Sequence, residues 1–581
     1  MGRFVPPSNS GRCSLDEWPV FRNGVRSGVR SARDVDEDGY DDVSCRRPVP
    51  DANQDTPGHL VALLAGRHIV AVHHLASAAF LSVWTLQRCQ RRMPCSPLLP
   101  AGYRRRRPEN GALHLILREH LETFLERVNE DPCSPGLASF VEAELRGYLR
   151  CGILAHGFAR CRCATCKDDI LVAFSCKGRG ICSSCAGRRM AEGAARLVDE
   201  VMPHVPVRQW VLSLPYPLRY RLAWDSALLT EVLNVFLGEV TSCYTRLAHA
   251  RGLREAKTGA YTVIQRFSGS LALNIHVHSL LLDGVFVPGD AEQAPVFHPL
   301  AVKEADVLAV VRSAELAVLR LLERKGLLDP DECVPREEDE FTEQQPLMAG
   351  LYQSSVEGRI AVGERRGLAV RRLRGLPSSR QAAKRKPKRK KPMCATSGAF
   401  DLHARVRIHA EHRGELERLA RYLLRPAIAL DRLRLLPGGM VAYDLRSPWA
   451  DGTTGFLFSP MEFIEKLAAL VPPKGRNLIR YHGILAPGSH VRALVVPGQR
   501  RRERGAATKL IPRTRIPWAD LLKRVFSIEI LRCVRCGGWR EVIGVVKDPL
   551  VARKILEHLG LDTEDYEPLP ARAPPQLDLA L

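Results

Sequence analysis

The sequence predicts an α+β protein: a small cysteine-rich module of helices and a ribbon, followed by an antiparallel sheet flanked by helices. Three observations predict it. Two Cys-x-x-Cys pairs, Cys163/Cys166 and Cys182/Cys185, enclose fifteen residues. Next comes a strand pair, YTVIQRFSGS and LNIHVHSLLLDGVFV, whose runs are alternating or continuously apolar. Around these lie segments with apolar residues at helical spacing, such as SALLTEVLNVFLGEVTSCYTRLAHA.

The elements follow in order. Residues 1–105 mix Arg, Asp, Gly and Pro with little periodicity, which predicts a poorly ordered extension apart from a helix near 59–90. Its most apolar stretch, IVAVHHLASAAFLSVW, carries His73 and His74 and falls short of the ~20 residues that a membrane helix needs. The opening residues lack the apolar core of a secretory signal, so a soluble protein is expected. In the module 106–200, LHLILREHLETFLERV and FVEAELRGYLRCG predict two helices leading into the cysteines.

Residues 201–475 form the expected sheet domain. RQWVLSLPYPLRYRLAW reads as a strand stopped by proline, then come the long helix, the strand pair and a helix within 301–328. An insertion near 329–398 holds an acidic loop (329–346) and the basic run KRKPKRKKP (384–392), which reads as a DNA-tracking loop or a solvated linker. After it, FDLHARVRI predicts a strand and EHRGELERLARYLLRP a helix. GGMVAYDLRS and GTTGFLFS predict strands, and MEFIEKLAALVP a closing helix. Residues 476–581 are a basic carboxy-terminal region.

A chain of 581 residues with net charge +22 has room for several domains and favours a polyanionic partner, nucleic acid before others. Seven of the seventeen cysteines fall between Cys151 and Cys185, at spacings that suit thiolate metal ligands and not a disulfide framework. That pattern predicts a reducing, cytoplasmic compartment.

Each Cys-x-x-Cys knuckle presents two thiolates on a tight turn, and two knuckles together complete a tetrahedral site. The spacing predicts one structural Zn²⁺ held by Cys163, Cys166, Cys182 and Cys185, with no coordination position left for chemistry. Cys151, His156, Cys161 and Cys176 are left as a second site or as buried thiols. The lone pair Cys533/Cys536 reads as a turn unless a distant ligand joins it. Arg160, Arg162, Lys177, Arg179, Arg188 and Arg189, interleaved with the ligands, offer a DNA-contact surface or simply solvate the module.

In a strand, residues two apart share a face, so His276 and His278 lie side by side while Ile275 and Val277 face away. Alternation on a wet strand gives the same pattern, but the LLLDG that follows is apolar on both faces, a poor place for unpaired imidazoles. A metal held there could polarise a scissile phosphate for attack by a side-chain hydroxyl. On the helix 411–426, Leu416, Leu419, Ala420 and Leu423 mark the buried stripe and Tyr422 its flank. Arg418 and Arg425, four before and three after Tyr422, can share its side and favour attack on phosphate. The ordinary alternative is a tyrosine packed at a helix edge.

Five stretches taken in order resemble one family: CRCATC with FSCKGRGICSSCAGRRM, VPVRQWVLSLPYPLR, IQRFSGSLALNIHVHSLLLDGVF, LERLARYLLRPAIA and NLIRYHGILAPGSHVRA. The chain resembles the rolling-circle transposases of the insertion sequence ninety-one type, which join a zinc-binding domain to a histidine–hydrophobe–histidine (HUH) nuclease domain. The resemblance spans roughly residues 111–500. It implies a nickase and strand transferase on single-stranded DNA, with Mg²⁺ or Mn²⁺ at His276 and His278 and Tyr422 as nucleophile forming a 5′-phosphotyrosine. The parent group carries two tyrosines four residues apart. Here Arg418 takes the first position, so the chain is similar to the single-tyrosine branch. Gln265 is the candidate third ligand, and Tyr443 and Tyr481 are the fallback nucleophiles. Two other readings stay open: a plasmid-type replication initiator or relaxase, and a noncatalytic zinc-ribbon DNA-binding protein.

Overall fold

The computed structural model describes residues 105–130, 135–289, 294–328, 340–375, 392–497, 516–526 and 529–572. The helix expected near 59–90, nearly all of the basic run at 384–392 and most of the acidic loop lie outside the described residues.

Helices α1 (Ala112–Val128) and α2 (Ser139–Leu149) form as their spacing requires. Leu113, Ile116, Leu117, Leu121 and Phe124 bury one stripe against Val141, Leu145 and Tyr148 of the other. The hairpin β1 (Phe158–Cys163) and β2 (Asp169–Ala173) follows, then α3 (Ser183–Arg196). Strand β3 (Val207–Ser213) stops before Pro215, as the proline stop predicts, and the residues after it form a helix, α4 (Tyr216–Trp224), that the sequence reading did not name. Proline in the first turn of α4 sacrifices no hydrogen bond there. Asp225 ends α4 and caps α5 (Ser226–His249), accepting from Leu228 N at 2.9 Å, a cap that contributes about 1 kcal/mol.

Strands β4 (Gly259–Phe267) and β5 (Leu273–Leu282) pair antiparallel. The short hairpin β6 (Gly284–Val287) and β7 (Val296–Pro299) then leads to α6 (Glu304–Arg324). The end of the acidic segment is a single helical turn, Glu340–Gln344, running into α7 (Pro346–Glu357), where a loop was expected through 346. Beyond it lie β8 (Arg371–Arg374), β9 (Cys394–Ser397), β10 (Phe400–His403) and β11 (Arg407–Ile408); the strand expected over FDLHARVRI is thus split in two. Further along lie α8 (Arg413–Leu423), β12 (Leu433–Leu435), β13 (Val441–Asp444), β14 (Thr453–Phe458), α9 (Pro460–Leu470), β15 (Ile479–Gly483), a single helical turn Arg492–Val495, α10 (Trp518–Phe526), β16 (Arg540–Val546) and α11 (Pro549–His558).

The central sheet has the order β15-β4-β5-β3-β10-β9, with β11 also on β3. Every residue of its middle strand β5 is buried. One face carries Trp210, Leu212, Ile264, Ile275, Val277 and Leu281 into the main core with α5 and α6. The opposite face carries Val207, Tyr261, Val263, Leu280 and Leu282 against Leu416, Leu419, Ala420 and Leu423 of α8. At the end of β5, fully buried Asp283 binds Arg208 at 2.8 and 3.1 Å, Arg407 at 2.5 Å and the Tyr244 hydroxyl at 3.0 Å. This cluster ties β5 to β3, β11 and α5.

The carboxy-terminal region divides between two bodies. Strand β15 is an edge of the central sheet, while β16 pairs with β1 to make the three-stranded sheet β16-β1-β2 of the cysteine module. The boundary expected at 475 therefore falls ahead of the sheet's last strand. No helix among the described residues is long and apolar enough to cross a membrane.

Candidate active site and metal centres

The alternation of β5 turns His276 and His278 to the face covered by α8, and their ring centroids lie 4.8 Å apart. Both are buried, with 3% and 2% exposure. His276 Nδ1 lies 3.0 Å from the carbonyl of Asn274. A carbonyl can only accept, so this contact requires Nδ1–H and fixes the tautomer of the ring. Gln265 stands opposite His276 in the β4–β5 ladder. Its Nε2 donates to Leu423 O at 2.9 Å, and its buried Oε1 has no hydrogen-bond partner among the described residues.

His278 has two companions that sequence reasoning missed. The side-chain amide of Gln209 lies 2.9 Å from His278 Nδ1. As it stands, Gln209 Nε2 donates and the ring proton sits on Nε2. A half-turn of the amide would present Oε1, accept Nδ1–H and bare the Nε2 lone pair. His278 Nε2 and Gln209 Oε1 are both buried with no hydrogen-bond partner among the described residues. His403 is the second companion. It pairs with Val211, which pairs with His278, so the two imidazoles lie in one row across three strands. Burial above all, then His276, Arg425 and His403, hold His278 well below the ordinary histidine range, so the ring is neutral. Alternation in the quoted stretch VPVRQWVLSLPYPLR was the available signal for Gln209.

Tyr422 lies half-buried on the flank of α8, as its spacing predicts. Its ring stands edge-on to His278, centroids 6.4 Å apart, and the Arg425 guanidinium lies 4.5 Å from its ring centroid. Arg418 points outward and pairs with Glu415 at 3.9 Å. Of the two cations expected beside Tyr422, Arg425 is the one seated over the ring. Among the fallback nucleophiles, Tyr443 is fully buried, and its hydroxyl is held by Arg432 at 2.9 Å and Ala429 N at 3.2 Å. Tyr481 packs edge-on against Tyr261 on β4.

The single site expected from Cys163, Cys166, Cys182 and Cys185 is replaced by two clusters. Cys182 and Cys185, at the start of α3, meet Cys151 from the end of α2 and Cys176 from the loop after β2; Cys163 and Cys166 meet Cys533 and Cys536. The reason is local. The first knuckle is the turn of the hairpin β1–β2, and β2, within the fifteen intervening residues, carries the chain back from it toward α3, which leaves the end of α2 facing the second knuckle. In the first cluster, Cys151 to Cys185, Cys176 to Cys185 and Cys151 to Cys182 are 3.8, 3.5 and 3.5 Å apart. A tetrahedron with Zn–S bonds of ~2.3 Å has edges of about 3.8 Å, so these four residues fit a structural Zn²⁺. His156 and Cys161 lie outside both groups.

The six cations expected to contact DNA divide in the same way. Arg160 and Arg162 both bind Asp169, at 2.9 and 2.8 Å. Arg179 holds Arg476 O at 2.5 Å, and Arg189 holds the carbonyls of Lys177 and Gly178. Lys177 and Arg188 are exposed.

Residues 259–493 match the family model described as "Putative transposase", and residues 116–214 that described as "Transposase zinc-binding domain". No curated protein and no solved structure matches the chain. The first span holds His276, His278, Gln265 and Tyr422; the second holds all of the first thiolate cluster. Zinc module and transposase domain stand in the order of their motifs, and DNA is the partner that this family implies. The chain is a transposase of the insertion sequence ninety-one type with an amino-terminal zinc-binding domain.

Proposed function

We propose that the protein nicks and rejoins single-stranded DNA through a covalent bond to Tyr422, the chemistry of rolling-circle transposition. One observation carries the reading. Two buried polar atoms without partners among the described residues, His278 Nε2 and Gln265 Oε1, lie on the sheet face that the Tyr422 helix covers. Burying such atoms costs about 1–3 kcal/mol each unless a ligand meets them.

The donor set suits a divalent cation, Mg²⁺ or Mn²⁺, held by His276, His278 and Gln265, which would polarise the scissile phosphate. The chain's own residues do the rest. Tyr422 Oη forms a bond to phosphorus as the bond from phosphorus to the 3′ oxygen breaks. The phenol proton passes to solvent and the departing oxygen takes one up, leaving a free 3′-hydroxyl and a 5′-phosphotyrosine. Arg425, over the ring, neutralises the phosphate oxygens as charge builds on them. Gln265 binds the backbone carbonyl next to Tyr422 and so ties the nucleophile's helix to the ligand strand. Attack of a 3′-hydroxyl on the phosphotyrosine reverses the step and joins strands without ATP. With one tyrosine, a second cleavage reuses Tyr422 or draws on a second copy of the chain.

The test is incubation of the full-length protein with single-stranded DNA from the element's ends in Mn²⁺. The reading predicts a denaturant-resistant protein–DNA adduct that chelation abolishes. Failure to form an adduct with any divalent cation contradicts it.

A further inference from the structure

The second thiolate cluster draws two ligands from far outside the zinc-binding span. Cys163 to Cys536 and Cys166 to Cys533 are both 3.5 Å, across 373 and 367 residues of sequence, and all four sulfurs lie within 4.8 Å of one another. The two knuckles have the same backbone. Lys167 N donates to Cys163 O and Gly537 N to Cys533 O, at 3.1 and 2.8 Å. Cys163 N donates to Asp168 O and Cys533 N to Gly538 O, at 2.9 and 2.7 Å. In each, the residue after the second cysteine is left-handed, Lys167 at φ 60° and Gly537 at φ 72°. Paired turns of this kind aim four sulfurs at one point.

The surroundings fit a charged centre. Gly538 N donates to Cys536 Sγ at 3.4 Å, and the buried Arg540 donates to Cys533 Sγ at 3.6 Å while pairing with Asp168 at 2.7 Å. A Cβ on Gly538 would lie 2.6 Å from Thr165 Oγ1 and 3.2 Å from Cys163 Sγ, so only glycine lets the knuckles approach this closely. The strands on the two sides pair as well, Cys163 of β1 opposite Arg540 of β16.

We propose that Cys163, Cys166, Cys533 and Cys536 bind a second structural Zn²⁺ that clasps the carboxy-terminal segment onto the zinc-binding domain. The clasp also reaches the nucleophile's helix. On α10, just ahead of the clasp, Arg524 pairs with Asp199 beyond α3 and with Glu417 of α8, at 3.1 and 2.9 Å. Glu417 in turn binds Arg421, the residue before Tyr422. The zinc therefore fixes the segment that braces α8 from outside. This inference does not depend on the DNA chemistry proposed above.

Metal analysis of the full-length protein, purified without chelator, tests it. The wild type should carry two zinc ions per chain, and titration with a mercurial thiol reagent should release both. The double variant Cys533→Ser/Cys536→Ser should keep one, and Cys536→His should keep two. If the double variant does not fold, the wild-type count and the Cys536→His count decide. One zinc in the wild type, two retained in the double variant, iron in place of zinc, or Cys163–Cys536 and Cys166–Cys533 recovered as disulfides would each overturn the proposal.

Discussion

Tyr422 stands edge-on to His278, ring centroids 6.4 Å apart and planes at 87°. The two residues come from a helix and a strand 144 positions apart in the sequence, and α8 brings them together because its buried stripe lies on the sheet face that β5 exposes. The tyrosine flanks that stripe, and the histidine lies beneath it.

Replacing His276 or His278 with alanine should separate chemistry from binding. Nucleic-acid affinity rests on cations that meet phosphates, and these imidazoles are buried. Cleavage should fall at least ~100-fold, while affinity for single-stranded DNA stays within roughly threefold. Nicking rates and fluorescence anisotropy on the same preparations measure both.

Gln209→Leu should act through His278 without touching DNA. Loss of the amide at Nδ1 frees the ring to rotate, which costs about 10–100-fold in cation affinity. Cleavage should be weak at low Mn²⁺ and recover at high Mn²⁺. A defect that persists at saturating Mn²⁺ would point to general disruption of the sheet.

Asp283→Ala should cost stability. It leaves the buried Arg208 and the half-buried Arg407 without their carboxylate, a loss of roughly 3–5 kcal/mol. At 2–4 °C per kcal/mol the melting temperature should drop by about 10 °C. Differential scanning calorimetry gives the value.

Acid should weaken the fold through His482. Burial first, then Arg480, lower this histidine to about 4. The unfolded chain takes the proton near 6.5 and the folded chain resists until about 4, so the unfolded state binds more protons between the two. The stability is complete above 6.5 and is lost as pH falls toward 4. His482→Gln should flatten the melting temperature across that window relative to wild type; parallel curves would contradict the assignment.

What the sequence made legible was local. The period of β5 put His276 and His278 on one face, and the stripe of α8 put Tyr422 on its flank, because both follow from backbone geometry alone. Knuckles could be recognised, but the pairing of Cys163/Cys166 with Cys182/Cys185 was wrong, because a Cys-x-x-Cys turn presents its two thiolates in the same way wherever the partner pair lies. Which pair they meet depends on β16 adding to β1, a contact that no local spacing encodes. Alternation gives Gln209 a face but not a neighbour, and the same holds for His403. Their nearness to His278 depends on β3 lying between β5 and β10, and strand order is a property of the whole sheet.

Peptide mapping of the covalent complex tests the central claim most directly. The adduct formed with single-stranded DNA in Mn²⁺ is digested with nuclease and trypsin and read by tandem mass spectrometry. The account predicts a nucleotide on Tyr422, at the start of peptide 422–432, and no adduct from Tyr422→Phe. Recovery of the nucleotide on Tyr443, Tyr481 or any other residue, or an undiminished adduct in Tyr422→Phe, would contradict it.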